Sequence, residues 1–234
     1  MKYLISLLTG FVVGAALFIL LLYVNPFAGA KSISPLAVTS HRLMNLSFSS
    51  VASETLMLTN DGTSTPAPHP EKVQQLWERT IGKTSVMVVM LADSRGKAAG
   101  IGVKFSSESE RTRVLNGELL VDSVWHIHLP DRGTMLVAQQ ENYWSYLRDI
   151  VIPAYKSSGD NWRGSWNGVM TVGPNALGTA RAIGGSGEFA GIETEAVESR
   201  IENAFSVAEG AVAMRGSLAI TLADAPTIEV AESE

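Results

Sequence analysis

The chain lacks cysteine altogether, which excludes disulfide bonds, thiolate metal ligands and a cysteine nucleophile. Charge is also sparse: 18% of the 234 residues are charged, the net charge is -5, and no block of basic residues occurs. A nucleic-acid partner is therefore not expected, because such binding depends on Lys and Arg neutralising phosphate. At 46% hydrophobic residues the chain is not a disordered segment, and its length suits one domain with a short appendage.

Charge is wholly absent from the apolar segment Tyr3 to Val24. As a helix these residues would cover about 33 Å, enough for a hydrocarbon core of ~30 Å, and Asn25-Pro26 would end it. We therefore predict a transmembrane signal anchor over residues 1–24, in contact with the lipid bilayer. A cleaved signal peptide is the alternative, with Ala28-Gly29-Ala30 as its cleavage site, but the apolar run exceeds the usual ~7–15 residues.

Orientation and helix packing of this segment follow from a few residues. Lys2 and the terminal amine favour a cytoplasmic N-terminus, and no second apolar run follows, so the remainder is expected to be periplasmic or otherwise extracytoplasmic. Ser6, Gly10 and Gly14 share one helix face, a spacing that permits close helix–helix approach in lipid. The alternative is that glycine is simply common in membrane helices.

Beyond the anchor we predict a tether over residues 25–40, a folded domain over 41–222 and an acidic tail over 223–234. Alternating or continuous apolar runs predict strands at 43–50, 85–92, 99–106, 119–129, 134–140, 165–172, 179–183, 192–206 and 211–222. Asn116-Gly117 predicts a hairpin turn. Helices are predicted at 70–81 and 141–152, the second ended or kinked by Pro153. Many short strands with glycine-rich turns predict a mainly β fold, an antiparallel barrel or sandwich.

The strand at 99–106 has unlike faces. Ile101, Val103 and Phe105 alternate with Gly102 and Lys104. This period of two is typical of a strand with one buried face, and the apolar set is expected to be the buried one.

A glycine-rich turn lies between the last predicted strands, with Gly184, Gly185, Gly187, Phe189 and Gly191. Together with the long strand and the final apolar strand after it, this turn resembles the allene oxide cyclase and dirigent barrels over residues 164–222. The resemblance implies an antiparallel β-barrel whose lumen binds apolar small molecules or guides their cyclisation. It transfers no catalytic residue, and the anchor and the helix at 141–152 depart from the family pattern.

Two histidines are the only candidate metal ligands. His126 and His128 alternate on a strand and share a face with Asp122, while Trp125 and Ile127 lie on the other face. The alternative is a solvated outer face, which is favoured because Asp122 would lie some 13 Å along the strand from His126. His41 and His69 add nothing definite, and neither a metal nor another cofactor is expected.

Aromatic residues are concentrated in two neighbouring segments. They are candidates for an interface with lipid or a protein partner, for ligand contacts at the barrel mouth, or for the edge of the core. The five candidates are Tyr143, Trp144, Tyr146, Trp162 and Trp166.

Enzymatic motifs are missing. The glycine spacing at 185–191 does not fit a dinucleotide loop, and no G-x-S-x-G nucleophile elbow occurs. A set of acidic residues is interpreted as a solvated strand, because spacing alone does not indicate the paired carboxylates of a glycosidase. These are Glu188, Glu193, Glu195, Glu198 and Glu202.

The sequence therefore predicts a non-catalytic accessory or assembly subunit of a larger membrane protein complex. Its anchor would pack against other membrane-protein subunits and its domain would dock through the aromatic residues. The alternative is a barrel-lumen binder, or an isomerase- or cyclase-like enzyme, for an apolar small molecule. A metal-handling protein is a weaker third interpretation, since it depends on His126 and His128 alone.

Overall fold

The computed structural model describes residues 2–24, 42–51 and 84–222. An N-terminal helix, α1, covers Lys2–Val24. Among the described residues, no helix qualifies as long and apolar enough to cross a membrane. The predictions for the tether, the helix at 70–81, the acidic tail, His41 and His69 lie outside the described residues.

Eight strands form a closed antiparallel β-barrel. Its strand order is β1-β2-β3-β4-β5-β8-β9-β10, and β10 pairs with β1 to close the ring. Closure leaves no unpaired barrel edge, which removes the usual liability of an exposed strand. The strands are β1 Arg42–Val51, β2 Thr84–Ala92, β3 Ala98–Glu108, β4 Leu120–Leu129, β5 Gly133–Asn142, β8 Ala180–Gly184, β9 Glu193–Ser206 and β10 Gly210–Leu222.

Two further strands and a helix complete the domain between β5 and β8. β6 (Asn161–Val169) pairs with the second half of β9, and β7 (Thr171–Gly173) pairs with the end of β5. The helical segment α2 (residues 144–156) consists of the turns Trp144–Tyr146, Leu147–Val151 and Ile152–Lys156. It packs on β6 and so covers the barrel beside the end of β5.

The barrel interior differs between its two ends. Around the β4–β5 turn it is filled with apolar side chains, and Trp125 packs on Phe48 with ring centroids 4.9 Å apart. Toward the other end, where β3 ends and β2 begins, the inward residues are polar and charged, and Lys104 and Glu198 are both buried. The candidate site is in this second half.

Most predicted strands are confirmed within a few residues, and the mainly β barrel is confirmed. The predicted strand at 165–172 is two strands, β6 and β7. The Asn116-Gly117 turn is present with Gly117 at a φ of 70°, but a short 3-10 helix, Val114–Asn116, precedes it in place of a strand.

The predicted face of β3 is wrong. Phe105 is 45% exposed, whereas Gly102 and Lys104 face the interior. A Cβ on Gly102 would lie 2.9 Å from the Trp125 ring, so the glycine leaves the space that the indole fills. The strand therefore turns its small and charged residues inward, because the Trp125 indole on the adjacent β4 fills the space beside Gly102.

The helix that follows β5 begins later and runs further than predicted. Pro153 does not end the helix, which continues to Lys156. A π-helical turn, Leu147–Val151, directly precedes the turn that contains the proline. Proline has no N–H to donate, and a π-type turn is a common way for a helix to accommodate such a missing hydrogen bond.

Candidate functional site

The candidate site is a set of buried ionisable side chains on strands β3, β5 and β9. The members of this ion cluster are Lys104, Glu141, Glu198, Arg200 and Glu202. Alternation points Glu198, Arg200 and Glu202 to the same side of β9, toward the interior. Because burial of an unpaired charge is costly, their partners determine the chemistry of the site.

Lys104 is the cation between two carboxylates. Its Nζ donates to Glu141 Oε2 at 2.8 Å and to both oxygens of Glu198 at 2.8 and 2.9 Å. Burial lowers the pKa of Lys104, but the charges of Glu198 and Glu141 outweigh burial, so the net pKa is raised. Burial likewise raises the pKa of Glu198, and the charges of Lys104 and Arg200 bring it below its usual value. The amine and Glu198 are therefore both charged at neutral pH.

Neutral donors satisfy the remaining carboxylate oxygens. Trp125 Nε1 donates to Glu198 Oε2 at 2.8 Å, and Gln139 Nε2 donates to the same oxygen. Ser123 donates to Glu141 Oε1 at 2.5 Å, and the Tyr143 hydroxyl approaches Glu141 Oε2 at 3.3 Å. Every oxygen of these two carboxylates thus has a partner, which fixes the geometry around Lys104.

Arg200 is held differently. Its guanidinium carbon lies 5.5 Å from the ring centre of Tyr143 and 5.6 Å from that of Tyr146, both cation–π distances. The side chain is only 8% exposed, and its Nε has no hydrogen-bond partner. A buried guanidinium donor without a partner is unusual in a folded protein.

Glu202 is fully buried and neither of its oxygens has a partner at hydrogen-bond geometry. Burial raises the pKa of Glu202 to about 7, against the lowering influence of the Arg200 charge. The Tyr146 hydroxyl is the other group that acts on this carboxyl, and burial raises the pKa of Tyr146 as well. Glu202 accordingly titrates near neutrality.

A pocket of about 330 Å³ opens at the charged end of the barrel. This volume is at the lower end of the usual range for small-molecule sites. Lys104, Tyr143 and Arg200 line it together with Met87, Ser85, Ser106 and Glu108. A second pocket, of about 400 Å³, lies at the opposite end near Leu43, Lys97 and Arg132. Only the first pocket contacts the ion cluster, so we take it as the candidate site.

The five aromatic candidates from the sequence lie mainly in the core. Tyr146 and Trp166 belong to a second apolar cluster with Ile150 and Met170, and their rings meet edge to face at 5.5 Å. Trp144 is also buried, while Trp162 and Tyr143 are partly buried against this cluster. Of the three alternatives, core packing describes Tyr146 and Trp166, and Tyr143 alone reaches the candidate pocket.

The histidine pair lies on the outer face of β4. His126, His128 and Asp122 are all exposed, whereas Trp125 and Ile127 are buried, as the alternation predicts. Among the described residues no group of three metal-binding side chains occurs. The structure thus does not bring these three residues into one site.

The glycine-rich turn has a structural role at the apolar end. Phe189 is 1% exposed and closes that end of the interior, with Arg132 stacked on its ring at 5.0 Å. A Cβ on Gly184 would lie 1.5 Å from the Phe189 carbonyl oxygen, and Gly187 and Gly191 have φ values of 63° and 74°. Gly185 packs beside Thr134. These residues shape the barrel closure and lie far from the ion cluster.

The interpretation of the acidic residues as a solvated strand is wrong for two of them. Glu188 and Glu193 are exposed, but Glu198 and Glu202 are fully buried. Alternation places Glu198 on the face opposite Glu193 and Glu195, and a lysine at the centre of the apolar β3 pattern was the missing signal. Lys104 and Arg200 were not identified from the sequence, because a lone charge on a strand usually marks its wet face.

Comparison with protein-family models and with curated proteins gave no match.

Proposed function

We propose that the protein binds a small organic molecule in the charged end of its β-barrel. The observation that carries this proposal is the pocket of about 330 Å³ with Lys104, Tyr143 and Arg200 in its lining. Buried charges destabilise a fold relative to apolar packing, and clusters of buried ionisable groups beside a cleft occur preferentially at functional sites. The other half of the same interior is filled with apolar side chains, so closing the barrel does not require the charges.

Binding, and not acid–base chemistry by Lys104, is what this geometry favours. All three donors of the ammonium group are taken by Glu141 and Glu198. Lys104 therefore contributes positive potential at the pocket, and Arg200 adds a second cation to its lining. A barrel-lumen binder is also what the resemblance to allene oxide cyclase and dirigent barrels implies.

The test is to identify what the pocket holds. Full-length protein purified from its native membranes in mild detergent is extracted with organic solvent, and the extract is analysed by mass spectrometry. We expect a specific small molecule that is lost in Ser106→Trp, which fills the charged pocket, and kept in Ser94→Trp, which lies at the opposite pocket. Absence of any specific molecule, or equal loss in both variants, would contradict the proposal.

A second candidate function, a membrane-anchored accessory subunit, is favoured by α1. Its apolar side chains are exposed, Phe11 by 77% and Leu7 by 74%, and a Cβ added at Gly10 or Gly14 would meet nothing within 4 Å. We propose that α1 anchors the chain in a bilayer, with a cytoplasmic N-terminus and a periplasmic barrel. In this function the face with Ser6, Gly10 and Gly14 packs against a partner helix.

The two candidate functions are compatible, and the second has its own test. In blue-native gels of solubilised membranes, we expect the chain to migrate with specific membrane proteins. Gly10→Ile and Gly14→Ile should release it, whereas Ala16→Ile on the opposite helix face should not. Migration as a lone 25 kDa chain or as a homo-oligomer would contradict the subunit function.

A further inference from the structure

The guanidinium of Arg200 forms no salt bridge with any described residue, although the charges of Glu198 and Glu141 act on it. Two of the carboxylates that act on Arg200 are already engaged, since Lys104 binds both Glu141 and Glu198. Glu108, the carboxylate in the pocket lining, also has an interaction partner. Tyr143 and Tyr146 lie against the guanidinium, and Nε is unpartnered. Aromatic contacts satisfy the faces of a guanidinium but not its N–H groups, which lie in the plane and point outward.

Position makes this unpaired cation accessible to a ligand. Arg200 is more than nine-tenths buried and yet belongs to the lining of the pocket at the charged end. Register places Gly216 on β10 and Gly168 on β6 beside Arg200, so neither neighbouring strand supplies an ionic partner.

Glu202 is the second unpaired group, two residues further along the same face of β9. The spacing puts its Cα about 7 Å from that of Arg200. Its neighbours across the sheet are Met214 on β10 and Trp166 on β6, which do not ionise, and α2 contributes the Tyr146 hydroxyl. Within the described part of the chain, Arg200 is the charged group that acts on Glu202, so the charge states of these two residues are linked.

We propose that the pocket binds a small organic carboxylate through the guanidinium of Arg200, and that Glu202 takes up a proton when this anion binds. This inference rests on the proposed function and adds the ligand class and its regulation. A carboxylate matches the planar fork of a guanidinium with two parallel hydrogen bonds. With Glu202 neutral, Glu141 and Glu198 equal Lys104 and Arg200 in number, but both bind Lys104, so the ligand anion is the direct ionic partner that Arg200 lacks.

The proton linkage has a defined sign. When Glu202 is ionised it partly neutralises Arg200 and weakens the attraction for an anion; when it is protonated the full guanidinium charge is available. A bound anion in turn disfavours ionised Glu202 and raises its pKa further from about 7. Affinity should therefore fall as pH rises from 6 to 8, by up to about tenfold for a single linked proton.

The experiment measures binding of defined probes to the full-length protein by isothermal titration calorimetry. The probes are benzoate, phenylacetate and hexanoate, each compared with its primary amide, which has similar shape and no charge. We expect at least one acid to bind at pH 6 more than tenfold tighter than its amide, and to lose up to about tenfold at pH 8. Heats in two buffers of different ionisation enthalpy should show proton uptake at pH 7.

Two variants assign these effects. Arg200→Gln should reduce the affinity for the acid to that for the amide, and Glu202→Gln should bind the acid at pH 8 as tightly as the unaltered protein does at pH 6. Near-ultraviolet circular dichroism checks that each variant is folded. If Arg200→Gln does not fold, Arg200→Lys replaces it, and unchanged acid affinity in that variant would overturn the inference.

The remaining outcomes separate this inference from the proposed function. Equal affinities for acids and amides would overturn the assignment of a carboxylate ligand and leave the pocket as a site for neutral molecules. Acid binding without pH dependence would overturn the role of Glu202. Failure of every acid to bind would overturn the inference, while the proposed function is decided independently by the Ser106→Trp and Ser94→Trp extracts.

Discussion

At the scale of single residues, Lys104 is the cation that pairs with the two buried carboxylates of the barrel interior, Glu141 and Glu198. It is 2% exposed and forms salt bridges of 2.8 Å with both Glu141 and Glu198. The favourable attraction of such a buried group offsets a large desolvation cost, so the cluster adds little net stability as a whole. Removal of one member, by contrast, leaves buried charge without compensation.

Lys104→Met should therefore destabilise the barrel strongly. We expect a loss of about 3–5 kcal/mol, because two fully buried carboxylates then face each other without their cation. Urea unfolding followed by tryptophan fluorescence measures this loss, and the exposed Lys97→Met is the matched control. Adding Glu198→Gln to Lys104→Met should recover part of the stability. If Lys104→Met proved as mild as Lys97→Met, Lys104 would not be holding the carboxylates.

Glu202 makes the stability of the barrel depend on pH. Burial raises its folded pKa from 4.5 to about 7, so ionising it opposes folding. The stability associated with the protonated carboxyl is complete below pH 4.5 and is lost as pH rises through about 7. Glu202→Gln should thus become progressively more stable than the unaltered protein across this range, by up to about 3 kcal/mol above pH 7.

Urea unfolding at intervals from pH 4.5 to 8 provides the test of this effect. Only the difference between variant and unaltered protein is interpreted, because other groups titrate over the same range. The exposed Glu209→Gln controls for a lost surface charge. A difference that does not grow with pH would show that Glu202 is ionised without cost.

The residue scale is also where sequence reasoning was weakest. Alternation located the outer histidines of β4 correctly, because Trp125 and Ile127 are unambiguous inward residues. On β3 the same reasoning selected the wrong face, since small residues opposite a tryptophan are as good a core pattern as large ones. The ion cluster was missed for a second reason. Its members belong to strands that are distant in sequence, and only the closed barrel brings them together.

At the scale of elements, the glycine-rich turn after β8 determines how the apolar end closes. Gly184 and Gly191 are both glycine for different physical reasons. A Cβ on Gly184 would overlap the Phe189 carbonyl oxygen, whereas Gly191 has open space around it and a φ of 74°. One position requires close backbone approach and the other a left-handed conformation.

Gly184→Ala should consequently be more damaging than Gly191→Ala. A clash with backbone forces the turn to move and displaces Phe189 from the core, for which we expect a loss above about 3 kcal/mol. Gly191→Ala pays only for left-handed backbone, about 1–2 kcal/mol. Thermal unfolding of the two variants compares them directly. Equal effects would mean that the turn relaxes around Gly184 without moving Phe189.

Elements were easier to predict than their details. The strand positions follow from local alternation, and the glycine turn signals its own geometry. The π-helical turn Leu147–Val151 could not be read from the sequence, because it depends on how α2 packs its buried face while accommodating Pro153. The separation of β6 from β7 likewise depends on pairing with β9 and β5, which are far away in sequence.

At the scale of the whole molecule, the two ends of the barrel face different ways. β1 enters at the apolar end, near the second pocket, and the charged pocket lies at the other end, where β2 begins. Strands of ten residues separate the ends by roughly 25–30 Å, allowing for strand tilt. In the proposed anchored arrangement, 17 residues join α1 to β1, so the anchor would attach at the apolar end of the barrel and not at the charged end.

The charged pocket should thus face away from the bilayer in the proposed anchored arrangement. The absence of native cysteine allows single-site labelling without background, with an environment-sensitive fluorophore on Ser94→Cys at the tether end or on Ser85→Cys at the pocket end. In nanodiscs containing spin-labelled lipid, we expect stronger quenching at position 94 than at position 85, because the tether keeps the near end closer to the lipid. Stronger quenching at 85 would place the pocket against the membrane and its ligand within the lipid. Equal quenching at both positions would contradict this orientation of the barrel.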